Sequence, residues 1–266
     1  HRQRSLEQTE RAIRAAGVGS IAPLPPRGTD ELSAGAERAS VPEFGPASAR
    51  RAFFHAVDTV EDVMSRARAG LEADLGGAKA AAENLAEQVV ADPQALFELS
   101  LLQSFDEYTY AHCVNVSVYS IAIGDRLGLG PERLAELGFG ALFHDLGKAK
   151  LPRALIDKPD EFDEEDWRLM RRHPVLGAEA LLAMRHPMDA RLARAISIAF
   201  EHHLGFDGSG YPRLSPPRRQ DLFSRICAVA DAFDAMTSGR VYAKRAMSPD
   251  EALRRMVQGV GTAFDP

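Results

Sequence analysis

Cysteine is almost missing from this chain: Cys113 and Cys227 are the only two in 266 residues. A disulfide framework is therefore not expected, and a reducing cytosol is the natural setting. Surplus positive charge is missing as well, since 32 Lys and Arg face 38 Asp and Glu for a net charge of −6. That balance gives no reason to expect DNA or an anionic membrane as the main partner. No apolar run approaches membrane-spanning length, and the first residues do not resemble a signal peptide. Alternating segments of useful strand length are absent too. The chain opens on His1 instead of Met and stops at Phe264-Asp265-Pro266 without a clear helix end, so a fragment or processed chain is expected.

What is present reads as helical. Apolar residues make up 45% and charged residues 26%, ordinary values for a globular protein that buries a substantial core. Residues 1–49 carry Pro23, Pro25, Pro26, Gly28, Gly35, Pro42, Gly45 and Pro46. They are expected to form a linker, with at most a short helix over 5–16. Residues 50–100 are expected to be a helical brace or a set of signalling helices that could pair two copies or receive a partner. Phe53, Val57, Val60 and Met64 recur there at helical spacing. Gly70 or Gly76-Gly77 breaks that helix, a second runs from about 79 to 90, and Asp92-Pro93 starts a third.

Residues 101–266 form the second expected domain. Tyr110, Val114, Val118 and Ile121 mark one helix face, and Gly128 to Pro131 interrupt it. A helix over 133–143 follows, with Gly147 as its expected stop. Asp163 to Asp166 place acids at the positive end of another helix. Helices over 195–203 and 222–236 complete an all-α fold.

Five of the eight histidines fall in a set with separated carboxylates. His144-Asp145 follows the apolar run Ala141-Leu142-Phe143, His202-His203 closes an apolar helix, and Asp231 follows Ile226 to Ala230. Polar groups delivered by buried runs cost several kcal/mol, on the order of 2–7 each, unless something satisfies them. A hard or borderline divalent metal satisfies imidazoles and carboxylates together, and a metal pair can activate water against a phosphate. Asp234, one turn beyond Asp231, is placed to orient a ligand. His55 and His186 stand alone and are read as ordinary side chains.

The ordered set resembles the HD-GYP family of metal-dependent HD phosphohydrolases. The resemblance covers about residues 106–265. Asp106 to His112 is similar to the family's opening helix, and Phe143-His144-Asp145-Leu146-Gly147-Lys148 to its second motif. His173-Pro174 matches the third, and His202-His203 with Asp207-Gly208-Ser209-Gly210-Tyr211-Pro212 the fourth. Asp231 through Arg240 is similar to the fifth.

The resemblance implies an HD-domain helical bundle and two divalent metals, iron or manganese. The implied ligands are His112, His144, Asp145, His173, His202, His203 and Asp231, with Asp145 bridging. It implies hydrolysis of cyclic di-GMP to pGpG, and on to GMP, by a hydroxide shared between the metals. Asp145 and Lys148 would carry the chemistry, and Lys148, Gly208, Gly210, Tyr211 and Arg240 would hold substrate. Members with three metals carry Glu where this chain has Tyr108, so a two-metal site is expected. Two departures bear on substrate. Leu204 follows the His-His pair where Glu is usual, and Arg240-Val241-Tyr242-Ala243 replaces Arg-Pro-Tyr and a basic residue, leaving Lys244 or Arg245 to substitute. Alternatives are a catalytically weak module that senses the dinucleotide or docks a protein, and a phosphodiesterase for another cyclic nucleotide.

Overall fold

The computed structural model describes residues 46–266 apart from 101–107, 185, 217 and 239–245. The expected helix over 5–16, Arg240, Ala243, Lys244 and Arg245 thus lie outside the described residues.

The first helix, α1 (Pro46–Ala69), claims the end of the stretch read as linker. Proline has no N–H to leave unpaired in a first helical turn, so Pro46 starts a helix where a linker is expected. Ser48 is buried there and donates to Gln88 Oε1 at 2.9 Å. Helix α2 (Leu75–Ala91) likewise begins before its expected start. Asp74 caps it by accepting from the Gly76 N–H at 2.9 Å, so the two glycines sit within the first turn. Asp92 accepts from Ala95 N–H at 3.2 Å and opens α3 (Pro93–Ser100) as expected.

The inner bundle follows. Helix α4 (Tyr108–Arg126) is joined by Gly128 to α5 (Pro131–Leu142), whose first turn again uses proline. A 3₁₀ turn (Leu146–Lys150), α6 (Arg153–Ile156) and α7 (Glu164–Met170) come next. Asp163 and Asp166 close a capping box on α7, which buries none of its residues. Helices α8 (His173–Ala183), α9 (Ala190–Glu201), α10 (Leu222–Thr237) and α11 (Pro249–Val257) complete the order. Among the described residues there is no strand, only the isolated bridges Leu204–Gly210 and Val260–Phe264. None of their helices is long and apolar enough to cross a membrane.

One core runs through all of this. Phe139, Phe143, Phe200 and Phe223 lie at its centre, and Val57, Val60, Met64, Leu75, Leu85 and Leu96 of α1 to α3 belong to the same cluster. Ion pairs Lys79–Asp189 and Glu83–Arg191 tie α2 to the start of α9. Lys150 donates to the Ala67 carbonyl, so the 3₁₀ turn is also fastened to the last turn of α1.

Candidate metal centre

The site forms where helix ends meet. Helix α5 stops at Leu142, and the chain turns through His144 and Asp145 before the 3₁₀ segment. Gly147 therefore does not end the helix. It permits a close approach: a Cβ there would stand 1.9 Å from the His173 carbonyl oxygen. Removing the side chain lets the turn holding Asp145 and Lys148 lie against the start of α8, which holds His173. Helix α9 stops at Glu201 and leaves His202 and His203 in the turn beyond it. His112 comes from α4 and Asp231 from α10.

Three imidazoles are held in one tautomer. His144 Nδ1 is 2.7 Å from the Ala141 carbonyl, His173 Nδ1 is 2.8 Å from the Met170 carbonyl, and His202 Nδ1 is 3.0 Å from the Ala199 carbonyl. A carbonyl can only accept, so each Nδ1 carries the proton and each Nε2 presents a bare lone pair. Those lone pairs converge. His173 Nε2 faces His202 Nε2 at 3.1 Å and Asp145 Oδ1 at 3.3 Å. His144 Nε2 lies 3.4 Å from Asp145 Oδ2 and 3.9 Å from Asp231 Oδ1, and among the described residues it has no hydrogen-bond partner although it is fully buried. Facing lone pairs and carboxylates repel unless a cation sits among them, so the donor set fits divalent metal.

His112 is oriented differently. Its Nδ1 is 2.7 Å from Asp234 Oδ2, while Asn115 donates to the other Asp234 oxygen at 3.0 Å. Its Nε2 is 3.2 Å from Asp231 Oδ1 and 3.7 Å from Asp145 Oδ2. This carboxylate–histidine pairing fixes the ring with Nε2 toward the site. The remaining candidate, His203, sits 3.9 Å from Asp231 Oδ2 through Nδ1. Three groups of donors have their ligand atoms within 4.8 Å of one another: His112, His144 and Asp145; His144, His202 and Asp231; His173, His202 and His203. All seven residues read from the sequence as ligands thus come together.

Charge follows burial. Burial pushes the His173 and His202 imidazolium ions down to about 3 and lowers His203 as well. Burial also acts downward on His112, but Asp231 and Asp234 outweigh it and carry that imidazolium up to about 9. The carboxyls of Asp145 and Asp231 are desolvated yet held well below the usual range, the first by Lys148 and His144, the second by His112 and His203. Cys113 and Cys227 are buried nearby, and burial pushes both thiols well up, so neither offers a thiolate ligand.

The other predicted positions fall around this centre. Lys148 is half-buried and ion-paired to Asp145. The Tyr211 ring lies 4.6 Å from the His203 ring and 6.2 Å from that of His173. Gly208 and Gly210 have φ of 82° and 85°, and a Cβ on Gly210 would stand 2.2 Å from the His203 carbonyl. The loop amides are less open than their glycines suggest. Gly208 donates to Gly205, Ser209 to Asp207 and Tyr211 to His203, so the loop turns the Tyr211 ring, not these N–H groups, toward the ligands. Leu204 is buried at 4% exposure and pairs with Gly210 within the loop, so it offers no surface to a ligand.

Two supporting residues escape the sequence reading. Asn115 is one turn from His112, a polar residue in an apolar helix, and that was the available signal. Glu201 is fully buried next to His202, accepts from the Asp221 N–H at 2.8 Å, and joins the end of α9 to the start of α10.

The chain is similar to known proteins in sequence and in fold. The family model described as HD domain matches residues 83–266. A cyclic di-GMP phosphodiesterase of Pseudomonas aeruginosa is 35% identical over 207 residues, covering 78% of this chain and 49% of its own. A 3′3′-cGAMP-specific phosphodiesterase of Vibrio cholerae is 37% identical over 159 residues, covering 60% of this chain and 33% of its own. The chain thus spans half or less of the length of these relatives. The solved structure of an HDG"Y"P protein from Bdellovibrio bacteriovorus superposes with a TM-score of 0.65 at 25% identity, covering 80% of this chain and 67% of that one. With its ordered motifs brought to one centre, this chain belongs to the HD-domain family, in the HD-GYP subgroup.

Proposed function

We propose that the protein is a metal-dependent phosphodiesterase that opens cyclic di-GMP to pGpG and carries it on to GMP. The observation that supports this most is the convergence of bare imidazole lone pairs on Asp145 and Asp231 with Lys148 at their edge. His112, His144, Asp145 and Asp231 would hold one divalent ion, and His173, His202, His203 and Asp145 a second, iron or manganese. When bound, such a pair lowers the pKa of water and polarises a phosphate. The protein's own part is positional. Asp145 joins the two ligand groups, and its fixed carboxylate keeps Lys148 at the rim, where an ammonium would offset charge developing on the phosphate oxygens. Tyr211 would border the same space, and Gly208 and Gly210 shape the loop that carries it.

The two free thiols buried beside the ligands suit a reducing compartment, and we place the protein in the cytoplasm. Homodimerisation through α1 and α2, or input from a signalling partner there, extends the reading; Phe54 and Val90 are exposed on those helices. Metal analysis of freshly purified, reduced protein coupled to cyclic di-GMP turnover tests the central claim. His144→Ala and Asp145→Ala should each lower turnover by about 10³-fold or more. Metal-loaded protein without turnover of any cyclic dinucleotide would show it wrong, and tight binding of intact dinucleotide would favour a sensor. The Vibrio cholerae relative favours 3′3′-cGAMP as the competing substrate, so both dinucleotides belong in the assay.

A further inference from the structure

Residues 259–265 form a turn beyond α11 that reaches back to the Tyr211 loop. The Thr262 carbonyl accepts from the Asp207 N–H at 3.1 Å, and the Ala263 carbonyl accepts from the Phe206 N–H at 3.3 Å. Gly205 lies so close beneath that a Cβ on it would stand 3.0 Å from the Thr262 oxygen. The turn closes on itself, with Gly261 N–H donating to the Phe264 carbonyl at 2.8 Å and Phe264 N–H to the Gly259 carbonyl at 3.0 Å. Its far end is fixed too, because Asp265 is ion-paired to Arg225 of α10, the helix that carries Asp231. Within the loop, Tyr211 N–H donates to the His203 carbonyl at 3.1 Å and Gly205 N–H to the Ser209 carbonyl at 2.8 Å.

We infer that this turn is a strap that positions the Tyr211 loop over the metal ligands, with Gly261 and Asp265 as its positioning residues for substrate. The consequence for substrate rests on the phosphodiesterase reading; the mechanical consequence does not. Gly261 has φ of 82° and open space around its missing Cβ, so a valine there strains the strap while its Cβ meets no neighbour. Asp265 and Arg225 are partly exposed, and such a pair contributes little to global stability, so Asp265→Asn loosens the strap in a folded protein.

Hydrogen exchange of the metal-loaded full chain is followed by mass spectrometry alongside steady-state kinetics. Gly261→Val should speed exchange across 205–211 by about tenfold and raise KM for cyclic di-GMP by a similar factor, with metal content and kcat near wild type. Asp265→Asn should do the same by about threefold, and Asp265→Glu should restore wild-type behaviour. Hydrolysis of bis(p-nitrophenyl) phosphate, which presents no nucleoside for the loop to position, should change less than that of the dinucleotide. Unchanged exchange at 205–211 in folded variants overturns the strap, and so does faster exchange with KM unmoved. If Gly261→Val does not fold, Asp265→Asn decides. A wild-type chain that turns over no cyclic dinucleotide defeats the functional reading alone, and the exchange comparison still decides whether the strap holds the loop.

Discussion

Asp234 shows how a residue that holds no metal can decide whether metal is held. Its carboxylate accepts hydrogen bonds from His112 Nδ1–H at 2.7 Å and from the Asn115 amide at 3.0 Å. Asp234→Asn keeps the shape but removes the charge, and an amide N–H turned to Nδ1 would move the imidazole proton to Nε2 and block the lone pair that faces the site. Metal affinity at the His112 end should fall by about 10–100-fold, read by metal analysis after dialysis against a graded chelator. Unaltered retention would show that the carboxylate does not set the tautomer. The role was half legible in the sequence: Asp234 shares a helix face with Asp231, whereas Asn115 gave only its polarity.

The same residues set the pH response of metal-free protein. His173 and His202 are lowered to about 3, so their contribution is complete above the unfolded value of about 6.5 and is lost as pH falls toward 3. Each withdraws about 1.4 kcal/mol per pH unit once the unfolded chain is protonated. His112 is raised to about 9, so its contribution is present below about 6.5 and is lost as pH rises toward 9. Thermal unfolding of chelator-treated protein should therefore show maximal Tm near pH 6.5. Metal loading should flatten the alkaline side, because the ion replaces the proton on His112. A Tm that climbs steadily from pH 5 to 9 without metal would contradict this assignment.

At the scale of elements, the starts of α3 and α7 are legible because their capping chemistry is local, whereas α1 and α2 begin several residues before their expected starts. Asp163, Asp92-Pro93 and the acids after Asp163 act within one turn, and the structure places them as expected. Other positions depend on tertiary packing that the sequence does not display. Gly147 resembles a helix stop, yet the reason for it is the backbone of α8 some thirty residues on, and Leu204 resembles a lost substrate contact until its burial is seen. Gly147→Ala puts a Cβ 1.9 Å from the His173 oxygen and 2.5 Å from the Gly177 nitrogen, both backbone atoms that cannot rotate away. The 3₁₀ turn and α8 must then separate, taking Asp145 from His173. Tm should drop by about 5 °C or more with loss of bound metal. Retained metal and an unchanged Tm would mean that the two segments can part without disturbing the site.

The whole molecule raises the question of where the folding unit begins. The sequence suggests a break near residue 100, and the family model starts at residue 83, inside α2. Physical contacts recognise neither boundary. Phe53, Val57, Val60, Val63 and Met64 of α1 and Leu75, Leu85 and Val89 of α2 are buried in the cluster that also holds Phe139, Phe143 and Phe200. Each such side chain contributes about 1.5–3 kcal/mol by leaving water, against a net stability of about 5–15 kcal/mol for a whole domain. A chain starting at residue 101 leaves the faces of α4 and α5 bare, and it also loses Lys79 and Glu83 from α9 and the Ala67 carbonyl from Lys150. Lys150 is two residues from Lys148, so this loss reaches the turn that carries Asp145. We expect 101–266 to unfold without a cooperative transition, to aggregate and to retain no metal, and 83–266 to do little better. The chain from residue 46 should unfold sharply. Calorimetry and metal analysis on the three lengths separate the cases: a sharp transition with bound metal in 101–266 would make α1 and α2 an appendage, and its absence makes them part of the machinery that builds the site.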